Sequence, residues 1–70
     1  MLHPTKTREG DIYEVFARFR PEEPLRNIGT VVASDESLAR MYALTLYNEW
    51  NWSRMIIVPR EKIIPVVEPR

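Results

Sequence analysis

The side chains able to do chemistry in this chain are few and scattered. One histidine, His3, precedes Pro4; three carboxylates, Asp35, Glu36 and Glu49, lie along one predicted helix; Glu14 stands alone in an alternating run. A catalytic histidine needs neighbours that fix its position, and the polar segment around His3, broken by Pro4 and closed by Gly10, supplies none. Asp35 and Glu36 are explained by a helix start, where carboxylates favour the positive end of the helix dipole. No Glu-x-x-His pair is present, so the di-iron carboxylate pattern of helical bundles cannot be built from this chain. Gly10 and Gly29 are the only glycines and stand apart, which leaves no phosphate-cradling loop. The absence of cysteine excludes disulfides and thiolate zinc sites.

What remains is binding chemistry. Tyr47, Trp50, Trp52 and Arg54 form a short aromatic and cationic group, and tryptophan, tyrosine and arginine dominate protein interfaces. Trp50 is expected beneath the end of the helix. Trp52 falls in a turn where full burial is harder to arrange, so Trp52 and Arg54 read equally as an interface or as satellite packing. Stacking on nucleic-acid bases is a further use for such residues. Phosphate neutralisation, however, supplies much of the affinity for nucleic acid, and here ten basic residues are balanced by ten acidic ones.

These residues need a scaffold, and the chain is short for one. Seventy residues make a single small domain, which buries only ~60% of the surface its unfolded chain exposes. Domains of this size take support from disulfides, a metal or a partner, and a partner, including a second copy, is the remaining option. No apolar run approaches the ~20 residues of a membrane span, and the N-terminus has no apolar signal core. The expectation is a soluble cytoplasmic protein that binds neither membrane nor nucleic acid.

Residues 1–10 read as a loose arm, 11–59 as the folded domain and 60–70 as an extended C-terminal tail. From Asp11 the sequence alternates, placing Tyr13, Val15, Ala17 and Phe19 on a core face and Ile12, Glu14, Phe16, Arg18 and Arg20 on the other. Pro21-Glu22-Glu23-Pro24 ends this strand. A second strand runs from about Arg26 to Ala33; Gly29 within it marks a bulge or a close backbone approach, or is a tolerated weak spot. Glu14 is suited to pair across the sheet with an arginine such as Arg26, or to reach into a partner. Ser34 is the expected N-cap of a helix from Asp35 to about Glu49. Its apolar stripe is Leu38, Ala39, Tyr42, Ala43, Leu46 and Trp50, with Met41, Leu44 and Tyr47 beside it. Met55-Ile56-Ile57-Val58 is a strand apolar on both faces, stopped by Pro59, and Ile63-Ile64-Pro65-Val66-Val67 is a further apolar segment that Pro65 confines to an edge or to docking elsewhere.

The predicted fold is therefore α+β: one β-β-α-β domain with an antiparallel three-stranded sheet of order 2-1-3 and one helix on one face. The other face, with Phe16, is left open for another subunit.

Tyr13-Glu14-Val15-Phe16-Ala17-Arg18, Ile28-Gly29-Thr30 and Ala33-Ser34-Asp35-Glu36, continued through Ala39, Ala43, Tyr47 and Ile57-Val58-Pro59, resemble the phenylacetic acid degradation PaaB family. This is the small B subunit of the multicomponent phenylacetyl-CoA epoxidase, and the resemblance covers roughly residues 12–59. It departs at Asn27-Ile28, where the family tends to have a histidine, at Glu49-Trp50, where basic residues are usual, and at Ile56, where an aromatic is common. The resemblance implies a non-catalytic connector that joins the catalytic and structural helical subunits of a di-iron oxygenase acting on phenylacetyl-CoA or a related aromatic CoA thioester. It implies no cofactor in this chain, the di-iron centre belonging to the catalytic partner. Self-association as a homodimer is expected with it. The residues expected at partner interfaces are Glu14, Phe16, Arg18, Tyr47, Trp52 and Arg54, with the tail as a further contact. Two other readings fit a β-β-α-β plate of this size: a small RNA-binding or ribosomal module, and a ferredoxin-like dimer with a ligand pocket between sheet and helix.

Overall fold

A computed structural model describes residues 10–67. His3 and the arm before Gly10 lie outside the described residues, as do the last three of the C-terminal tail. The described chain is α+β. Strands β1 (Asp11–Arg18), β2 (Arg26–Ala33) and β3 (Arg54–Pro59) form one antiparallel sheet of order β2-β1-β3. Helix α1 (Glu36–Leu46) connects β2 to β3, and a single turn of 3-10 helix, η1 (Arg60–Lys62), follows β3.

β1 is central because its alternation serves both faces. Tyr13, Val15 and Ala17 are buried against the helix, and Val15 is the largest side chain wholly removed from solvent. Phe19, expected on the same face, lies beyond the strand and is 48% exposed. Pairing stops at Arg18, ahead of the proline loop, so the alternation no longer governs where Phe19 points. The core is completed by Val31 and Ala33 of β2 and by Ala39 and Ala43 of the helix. The small alanine side chains let the helix backbone approach the sheet closely. The result is a thin core, as expected for a chain of this length.

The helix begins one residue later than expected. Ala33 is still paired with Asp11, so Ser34 is spent turning the chain out of the sheet. Asp35 is the N-cap: its carboxylate accepts from the Leu38 amide at 2.9 Å. Arg40 then reaches back to Glu36 at 3.0 Å, an exposed i,i+4 pair worth about 0.3–0.5 kcal/mol.

The helix also ends earlier, at Leu46 rather than near Glu49. The indole N–H of Trp52 donates to the Tyr47 carbonyl at 2.6 Å and occupies an acceptor that another helical turn would have used. The inward stripe is Ala39 and Ala43, flanked by half-buried Leu38 and Tyr47. Tyr47, expected beside the stripe, therefore lies on it, at i+4 from Ala43 and i+8 from Ala39. Tyr42, Leu46 and Trp50, expected on the stripe, are exposed.

Gly29 is the seat for Tyr47. β1 and β2 slip register between Val15–Gly29 and Phe16–Asn27, leaving Ile28 as the extra residue of a bulge. Ile28 turns its side chain toward the core, and the Tyr47 ring lies over Gly29 where a Cβ would collide with its hydroxyl and ring. The hydroxyl donates weakly to the Thr30 carbonyl at 3.5 Å. Of the readings of Gly29, bulge and close approach both hold. Gly29→Ala should cost about 1–3 kcal/mol through overpacking, measured by urea unfolding. Tyr47→Phe, which removes the nearest colliding atom, should recover part of that loss in the double variant.

Candidate interface on the open sheet face

The register fixes which side chains share the uncovered face, because directly paired residues project to the same side. Four rows cross the sheet there: Ile12 beside Val32; Thr30, Glu14 and Val58; Asn27, Phe16 and Ile56; Arg18 beside Arg54. No helix of the described residues covers them. Phe16, Ile12, Ile56 and Val58 shield one another only partly and remain half-buried, and Val32 is exposed. The expected interface residues Glu14, Phe16, Arg18 and Arg54 are thus brought together on one face. Tyr47 lies on the opposite, helix-bearing face.

Glu14 is clamped from two sides. The Asn27 side-chain amide donates to one carboxylate oxygen at 2.8 Å, and the Arg60 guanidinium donates to the other at 2.7 Å. The same Asn27 accepts the Gly29 amide at 3.1 Å, tying the clamp to the bulge. The cross-strand partner expected for Glu14 was Arg26. The bulge instead sets Arg26 beside Ala17, on the other face, and the turn after Pro59 delivers Arg60 in its place. The Asn27 hydrogen bond, and after it Arg60, hold the Glu14 carboxyl below its usual range against the opposing effect of burial. On the other face, burial and then the nearby Asp11 push the Tyr13 phenol above its ordinary value.

The opposite end of the open face is cationic. Arg18 and Arg54 stand directly across from each other, and neither is in an ion pair among the described residues. Arg18 Nε is buried without a hydrogen-bond partner. Two like charges side by side repel, and an unpaired buried donor costs free energy. A carboxylate brought by another molecule would relieve both.

Trp52 sits at this end but is already engaged. Its ring stacks on Phe19 at 4.5 Å and 16°, while its N–H holds the Tyr47 carbonyl. Trp50 meets Phe19 edge-on at 6.0 Å and is 56% exposed, not packed beneath the helix end. Ser53 ties the loop to β1 through the Arg18 carbonyl, its amide donating at 2.9 Å. Parts of the third strand are expected on this face, and Ile56 and Val58 are those parts; Asn27 and Arg60 join it unannounced. Ile56 and Val58 were hidden in a strand apolar on both sides, and Asn27 and Arg60 depend on the bulge and on a turn.

Among the described residues no group of three or more His, Cys, Asp or Glu side chains could hold a metal ion. No described helix is long and apolar enough to cross a membrane. Comparison with family models, with curated proteins and with solved structures gives no match.

The clamp predicts a pH dependence. A carboxyl with a depressed folded pKa contributes stability that is present above its unfolded value, ~4.3. That stability is lost as the pH falls through the lower folded value. Glu14→Gln should lower stability at neutral pH by about 1 kcal/mol, a charged hydrogen bond discounted for solvent access. It should also flatten part of the acid-side fall in the thermal midpoint, followed by circular dichroism between pH 7 and about 3.

Proposed function

We propose that this chain is a non-catalytic connector subunit that presents the open face of its sheet to another protein, in a multicomponent di-iron oxygenase acting on phenylacetyl-CoA or a related aromatic CoA thioester. The observation that carries the connector reading is the open face itself. It offers an apolar centre of Phe16, Ile56, Val58 and Ile12, with an unpaired Arg18–Arg54 couple at one end and the clamped Glu14 beside the centre. Apolar centres rimmed by charge are the usual form of a protein interface. Arginines awaiting a carboxylate select for an acidic residue on the partner. The pathway comes from the resemblance of Tyr13–Arg18 and the motifs that follow it to the PaaB family. In that reading the catalytic and structural helical subunits are the partners, the di-iron centre lies in the catalytic one, and this chain self-associates in the cytoplasm.

Balanced charge weighs against the RNA-binding alternative, since the open face carries two arginines at one end rather than a basic stripe.

The test is co-purification of the tagged chain with the proteins encoded beside it. Emergence of an iron-containing helical protein supports the reading, and its absence removes the pathway. Phe16→Asp should break that assembly, weakening capture at least ten-fold by gel filtration, with the iron content of the partner unchanged. An assembly that survives the substitution would move the interface off this face.

A further inference from the structure

The two edges of the sheet are built differently. β2 is blunted by the bulge at Ile28 and by exposed Arg26, Asn27 and Thr30, devices that discourage pairing with another strand. β3 has the composition of a central strand, Met55-Ile56-Ile57-Val58, apolar toward both faces. Yet among the described residues no strand lies along its outer side. The helix packs more closely on β2 than on β3, which opens a groove of about 510 Å³ beside this strand. Tyr13, Ala43, Leu44, Met55 and Ile57 line its apolar part, and the Glu36–Arg40 ion pair lines it as well.

The segment after β3 has the right chemistry to complete that edge, and only Arg60–Lys62 separate the two. A hairpin would bring it back onto its own strand. The turn directs it elsewhere: Arg60 is held by Glu14 of β1, η1 packs against β1, and the Ile63 amide closes the turn on the Arg60 carbonyl at 3.0 Å. Ile63–Val67 pairs with no strand of the described residues, and Ile64, Val66 and Val67 are 83%, 93% and 85% exposed. Among the described residues both the groove and this apolar segment are thus left uncovered, and the turn between them keeps them apart.

We propose that Ile63–Val67 of one copy lies along the β3 edge of a second copy, in the groove beneath α1, and that the exchange is reciprocal. The segment spans ~17 Å as a strand, against ~20 Å for β3. With apolar residues at successive positions it can fill the groove with one parity and extend the row of Ile56 and Val58 with the other. Pro65 has no amide hydrogen to donate, which suits a strand added at an edge. A reciprocal exchange divides the ~1,200 Å² at which specific interfaces begin between two such seatings, about 600 Å² each counting both surfaces. The exchange supplies the self-association that the connector reading includes, and it is tested with this chain alone.

The chain has no cysteine, so introduced cysteines report only on themselves. Leu44→Cys and Val66→Cys are at exposed positions and should fold. Mixed under mild oxidation, they should cross-link to each other at least ten-fold faster than either does to itself. In analytical ultracentrifugation the unaltered chain should be dimeric, Val66→Asp should raise the dissociation constant at least ten-fold, and Phe16→Asp should leave it unchanged. A monomeric unaltered chain, a dimer indifferent to Val66→Asp, or cross-linking with no preference for the mixed pair would each overturn the exchange. A dimer broken by Phe16→Asp alone would place the contact between copies on the open face. That result would end this proposal while leaving the connector reading to its own test.

Discussion

The ring of Tyr47 can lie over β2 only where the strand offers no side chain, and much of the molecule follows from that contact. With Gly29 beneath it, Tyr47 turns inward at the end of α1 and extends the stripe begun by Ala39 and Ala43. Its carbonyl is then placed to accept the Trp52 indole, which stops the helix and fixes the loop. That loop is tied in turn to the Arg18 carbonyl through Ser53, and β3 enters alongside β1 from there. A glycine in β2 thereby helps to set the register of the strand at the far edge. With so few wholly buried side chains, a single close approach of this kind carries a large share of the tertiary specificity.

The bulge that accompanies Gly29 has a second effect, on the other face. By shifting parity at Ile28 it turns Arg26 away from Glu14 and brings Asn27 to it. The acidic side chain is consequently satisfied within the molecule, while Arg18 and Arg54 are left facing each other. The open face is therefore polarised: its carboxylate is held by Asn27 and Arg60, while Arg18 and Arg54 have no carboxylate partner among the described residues. A surface of this kind discriminates by charge before apolar contact is made.

The period-two pattern of Asp11–Arg18, the long apolar run of β3 and the right-handed helical crossover between β2 and β3 are enough to give strand identity, sheet order and the side that the helix covers. They give Glu14, Phe16 and Arg18 a common face as well, which Arg54, read with the helix-exit aromatics, joins only through the register of β3. What they could not give depended on contacts remote in sequence. The choice of Asp35 over Ser34 as cap turns on whether Ala33 is still paired. The end of the helix turns on a tryptophan five residues beyond Tyr47, and the partner of Glu14 on a bulge and a turn 46 residues away. Phe19 leaves the face that alternation assigns it because strand pairing ends one residue before it. Each of these is a decision made by tertiary structure between local options that the sequence leaves nearly equal in energy.

The blunted edge at β2 also bears on how large any assembly can become. A sheet with two receptive edges adds copies without limit, as fibres do. With Ile28 displaced and polar side chains along its outer side, β2 gives a further strand no regular ladder to join. In the proposed exchange, strand addition is confined to the β3 side, and a mutual contact there uses up the receptive edge of both chains at once. In that arrangement the irregularity that seats one tyrosine leaves an exchanged pair without a further receptive edge, so that strand addition closes at a finite number of copies.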